Sequence, residues 1–141
     1  MDNIEMKILI GLHRNVSDLD KITADIAKEH NLTFSQFAVL EALYSKGDLS
    51  VGEVRDLILS SMGTISLIVD NLVKLGYIER LPDKNDRRKS ILHLSDEGYK
   101  VIEEVVPINK DKIINHISVL DDKEKENLLY IMKKLGGKLN E

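Results

Sequence analysis

The stretch Gly76–Leu94, GYIERLPDKNDRRKSILHL, decides how this chain reads. Tyr77–Leu81 and Ser90–Leu94 are short mixed runs of the half-buried strand type, and Pro82, Asp83 and Asn85 between them are turn formers. The pattern predicts a β-hairpin. From Arg80 to Lys89, five basic residues stand against two acidic ones, a net +3 in a chain whose formal net charge is −4. A cationic finger on an acidic protein calls for an anionic partner, and double-stranded DNA is the leading one.

Upstream of the hairpin, Met62, Ile65, Ile68, Val69, Leu72 and Val73 form one helical stripe that runs to a stop at Gly76. Ser50-Val51-Gly52-Glu53 has the form of a capping box and opens a short helix through Val54, Leu57 and Ile58, which breaks at Ser60-Ser61. Thr33-Phe34-Ser35-Gln36 is another capping box, with Phe37, Leu40 and Tyr44 carrying its helix to Gly47. Ile4, Ile8, Leu12, Val16, Leu19, Ile22 and Ile26 keep three-to-four spacing along one long amphipathic helix. After the hairpin, Ser95 caps a helix through Val101, Val105, Ile113 and Ile117, in which Pro107 is expected to introduce a kink. Asp121 to Glu124 caps a last helix with the stripe Leu128, Met132, Leu135 and Leu139. The predicted fold is mainly α with a small β-wing: a winged helix-turn-helix lobe over 33–94, flanked by helical segments 1–32 and 95–141.

Composition narrows the function. The chain has 141 residues and 43% apolar content, which fits a single domain. Having no cysteine, it has neither a disulfide framework nor a thiol switch, which suits the cytoplasm. No apolar run approaches the roughly 20 residues that cross a bilayer, so no membrane role is expected. Aromatics are 4% with no tryptophan, which argues against stacking platforms for single strands. A Gly-rich phosphate loop, a cysteine nucleophile and a G-x-S-x-G motif are all missing, so an enzyme is not expected, and no cofactor is expected.

In a winged helix-turn-helix, the second helix lies in the major groove. At 100° per residue, Gly63, Leu67, Asp70 and Lys74 point away from the apolar stripe, flanked by Thr64, Ser66 and Asn71. Thr64 and Ser66 are candidates for bases or phosphates, Asn71 for an adenine edge, and Gly63 for close backbone approach. Leu67 is open between a thymine methyl, a dimer contact and neither. Ser60 and Ser61 are candidates for DNA contact or for helix capping. Asp70 would repel phosphate, so affinity is expected mainly from Lys84, Arg87, Arg88 and Lys89 at the wing, with Asp83 or Asp86 fixing an arginine by a bidentate ion pair. A winged module that binds a protein partner is the alternative to DNA.

Residues 63–98, GTISLIVDNLVKLGYIERLPDKNDRRKSILHLSDEG, resemble the signature of the MarR family of transcriptional regulators. The resemblance rests on Leu75–Arg80, on Asp83–Arg88 and on Leu94–Gly98. It implies six helices with a three-stranded wing module, and a homodimer in which the first, fifth and sixth helices intertwine, making 1–32 and 95–141 dimerisation segments. It also implies a repressor on a pseudo-palindromic operator, released by a small amphipathic or phenolic effector bound between the dimer helices and the winged lobe. Thr64 and Ser66 fall where relatives place base or phosphate contacts, Arg87 or Arg88 matches the wing arginine, and Asp86 matches its acidic partner. Ser66-Leu67 stands where relatives commonly have threonine-arginine, so the operator does not follow by analogy. His13, His30 and Glu41 would be the set for a metal-sensing branch, but their spacing forms no ligand cluster, and no metal is expected.

Overall fold

Local capping signals define where the helices begin. In the computed structural model, which describes residues 3–58 and 62–137 and the side chains of all of these but Met62 and Gly63, the helices are α1 (Ile4–Glu29), α2 (Phe34–Lys46), α3 (Val51–Ile58), α4 (Met62–Lys74), α5 (Asp96–Ile117) and α6 (Asp122–Leu135). The strands are β1 (Leu49–Ser50), β2 (Ile78–Pro82) and β3 (Ser90–Leu94). Thr33 and Asp121 head reciprocal capping boxes with Gln36 and Glu124. Ser50 does the same with Glu53, through contacts of 3.0 and 3.1 Å. The cap on α1 is Asn3, which the sequence pattern did not mark, and its side chain accepts from Glu5 and Met6.

α4 ends in a Schellman arrangement. Tyr77 N–H donates to the Leu72 carbonyl, Gly76 N–H donates to that of Val73, and Gly76 has φ +78°. That turn feeds the chain directly into β2. Ser95 then ties the far end of the hairpin back to the same turn, because its amide donates to the Tyr77 carbonyl and its hydroxyl to the Gly76 carbonyl. The Ser95 Oγ also accepts from Gly98 N–H and so caps α5 as predicted. Gly98 packs against the Tyr77 carbonyl so closely that no Cβ fits between them. The Leu94–Gly98 motif is therefore a backbone joint between hairpin and helix.

The three strands are antiparallel in the order β1-β3-β2, with Leu49 opposite Leu92, and Ile78 and Arg80 opposite Leu94 and Leu92. β1 is too short to leave a periodic signal, and the residues alone predicted only the hairpin pair. β2 begins one residue later than predicted and includes Pro82, which pairs with Ser90 instead of lying in the turn. An edge position accommodates it, since proline has no N–H to give to a ladder.

The core collects one face of each element of the winged lobe with the C-terminal half of α1 and the N-terminal half of α5. Ile26, Leu40, Ile65, Leu72, Leu92 and Ile102 are all buried within it. α5 continues through Pro107 without a break in the helix. The chain divides into two compact units, Met1–Asn109 and Lys110–Glu141. In the first, the N-terminal half of α1 exposes Ile4, Ile8, Leu12 and Val16. In the second, α6 exposes Leu128, Met132 and Leu135, while Leu139 lies outside the described residues. Among the described residues, no helix is long and apolar enough to cross a membrane.

Candidate nucleic-acid interface

Burial of Ile65, Ile68, Val69 and Leu72 sets the orientation of α4 and leaves Thr64, Ser66, Leu67, Asp70, Asn71 and Lys74 exposed. Leu67 is 62% exposed. Val73, expected on the buried stripe, is 38% exposed, because it lies about 90° from the centre of that stripe. Gly63 occupies the first turn of the helix. Ser60 and Ser61 lie outside the described residues.

At the other end of the candidate surface, Lys84, Arg87, Arg88 and Lys89 are all exposed at the hairpin tip. The tip is shaped by its own acids. Asp83 Oδ1 accepts from Asn85 N–H at 2.8 Å, while Asp86 Oδ1 accepts from Arg88 N–H at 3.0 Å and from its Nε at 3.3 Å. Asp86 is thus the aspartate that holds an arginine, through one side-chain contact and one backbone contact instead of the bidentate pair expected. The Arg88 side chain remains 91% exposed, so its outer guanidinium nitrogens face solvent.

Between helix and hairpin tip, Arg80 Nη2 donates to Asp70 Oδ1. Asp70, expected to repel phosphate, is thus ion-paired to Arg80. A groove of about 560 Å³ adjoins this pair, lined by Arg55 of α3, Ser66 of α4, Arg80 of β2, and Arg88, Lys89 and Ser90 of the wing. Arg55 is absent from the residues the sequence marks as candidates. Glu53 and Asp56 beside it cancel its charge in any local count along the chain.

A second cleft, of about 380 Å³, opens between α1, α2 and α3. Phe34, Phe37, Leu57 and Ile58 supply its apolar lining, and Asp20 and Glu41 its carboxylates. Glu41 accepts from the Ser45 hydroxyl at 2.7 Å. His13, His30 and Glu41 are not brought together, and among the described residues no group of three or more histidine, aspartate or glutamate side chains is placed to hold a metal ion.

Residues 30–89 match the sequence description of the MarR family. The chain is 31% identical over 110 residues to the uncharacterized HTH-type transcriptional regulator YkoM of Bacillus subtilis, covering 78% of this chain and 71% of that relative. Its fold is similar to that of a mutant of E. coli MarR complexed with operator DNA, with a TM-score of 0.83 at 24% identity over 96% of this chain and 99% of the other. Bordetella bronchiseptica BpsR, whose DNA binding is regulated by 6-hydroxynicotinic acid, aligns with a TM-score of 0.81 at 24% identity over 92% of this chain and 98% of its own. By sequence and by its winged architecture, the chain belongs to the MarR family of HTH-type transcriptional regulators.

Proposed function

We propose that this regulator binds double-stranded DNA as a cytoplasmic homodimer on a pseudo-palindromic operator and represses transcription until a small effector releases it. The observation that carries this reading is the convergence of the exposed polar face of α4 with the exposed cations of the hairpin beside one groove. The winged lobe, 33–94, is the DNA-binding part. Thr64, Ser66, Leu67, Asn71 and Lys74 face the bases and nearby phosphates, with Gly63 allowing close approach, and Ser60 and Ser61 are further candidates for DNA contact. Lys84, Arg87, Arg88 and Lys89 neutralise backbone charge, and Asp86 orients Arg88.

Segments 1–32 and 95–141 are the dimerisation helices. Apolar side chains left exposed on α1 and on α6 are what a second copy would cover. Twofold symmetry then sets two copies of α4 about 34–36 Å apart, one turn of the duplex. The effector is a small amphipathic or phenolic molecule, and the cleft lined by Phe34, Phe37, Leu57 and Ile58 is its site. Release follows only if that molecule binds the DNA-free form more tightly than the bound one.

Fluorescence anisotropy on the DNA upstream of the protein's own gene, across a salt series, tests the reading. Each phosphate contact contributes about 0.9 to the slope of log affinity against log salt. Wild-type binding should be tight and salt-steep, and a variant with both Arg87→Ala and Arg88→Ala should lose most of it. Absence of binding at low salt to this DNA and to a library of random duplexes would reject the reading and leave a protein partner.

A further inference from the structure

We propose that the groove between α3 and the base of the wing is a seat for the DNA backbone, with Arg55 as its phosphate-binding residue. This inference rests on the DNA-binding reading above and adds a contact outside both α4 and the wing tip. Four cationic side chains, Arg55, Arg80, Arg88 and Lys89, line the groove from three elements, and the three arginines are ion-paired to Asp56, Asp70 and Asp86. Each of these pairs is made through a single guanidinium nitrogen, so each arginine keeps N–H donors that its aspartate does not use.

The groove has the place for a sugar-phosphate backbone. Ser66 of α4 forms one wall, so a strand whose bases face α4 carries its backbone past Arg55. In helix-turn-helix modules the first helix crosses the backbone, which is the position of α3 here. The Arg55 guanidinium turns back over the first turn of α3, with Nη2 3.9 Å from where a Cβ on Gly52 would lie, and so stays within the groove. Its Nε is held by Asp56 Oδ1 at 3.1 Å, which fixes the plane of the group and leaves Nη1 and Nη2 to donate to phosphate oxygens.

Asp56 has a second consequence. Its carboxylate sits beside the seat and opposes any phosphate that enters, so it lowers affinity for DNA of every sequence while orienting the arginine. Arg55 and Asp56 together set a backbone term that carries no sequence information.

The test uses full-length wild type, Arg55→Ala, Arg55→Lys and Asp56→Asn, each checked for native circular dichroism, on two duplexes: the upstream DNA and a random sequence. Arg55→Ala should weaken binding by the same factor on both and reduce the salt slope by about 0.9 for each subunit engaged. Arg55→Lys should recover most of that slope, because it restores the charge. Asp56→Asn should tighten binding to both duplexes equally. An unchanged slope in Arg55→Ala, or a loss confined to the upstream duplex, would overturn the seat while the wild type's own binding stands. Failure of the wild type to bind either duplex would overturn the DNA-binding reading and the seat with it.

Discussion

Arg80 and Asp70 join the hairpin to α4: the Arg80 guanidinium donates to the Asp70 carboxylate at 2.5 Å. Arg80 stands opposite Leu92 in the sheet and shares a face with Ile78, two residues earlier on the strand, which is buried in the core. That face brings its long side chain to α4. The pair is 39% and 56% exposed, so its contribution to stability is that of a surface ion pair, about 0.2–1 kcal/mol. Its larger effect is on charge, since it covers the one carboxylate on the outward face of α4.

Removing that cover should cost more than a single cation. Arg80→Ala is expected to weaken binding to all duplexes, and adding Asp70→Asn should restore part of the loss, while either change alone shifts the urea midpoint only slightly. A double-mutant cycle in anisotropy measures the coupling. Strict additivity of the two changes would show that the pair plays no part in binding.

Leu67 presents an apolar side chain among polar neighbours on the outward face of α4. If it touches a thymine methyl, replacing each thymine of an operator half-site in turn by deoxyuridine should reveal one position where wild-type affinity falls by roughly fourfold, the equivalent of about 0.8 kcal/mol for one buried methyl-sized group. Leu67→Ala should be insensitive at that same position. Equal sensitivity of both proteins at every thymine would remove Leu67 from base reading.

Gly98 is set by packing against backbone. An alanine there must displace the Tyr77 carbonyl, which also receives the Ser95 amide, so Gly98→Ala is expected to destabilise the protein by about 1–3 kcal/mol. Urea denaturation should show a lower midpoint at an unchanged slope. A wild-type midpoint would mean that the α5 start can shift at no cost.

Much of the fold was legible in the chain because its signals are short-range. Thr33 with Gln36, Ser50 with Glu53 and Asp121 with Glu124 are capping pairs three residues apart, and each formed as its spacing required. Gly76 ends α4 for an equally local reason, since it takes the positive φ that other residues resist. β1 left no such trace. Two residues carry no period, and Leu49 becomes a strand only because Leu92 lies ready to pair with it.

The candidate interface divides along the same line. Helical periodicity alone turned Thr64, Ser66, Leu67, Asn71 and Lys74 outward, and the turn formers placed the basic cluster at a hairpin tip. Linear charge counting gave Asp70 no partner and passed over Arg55, because an ion pair between α4 and β2, and a groove shared by α3, α4 and the wing, involve residues that meet only after the elements pack. Capping, stops and facing belong to neighbours along the chain, so the sequence by itself determined them. Which charges cancel and which converge depends on distances through space, and only the tertiary structure decided that.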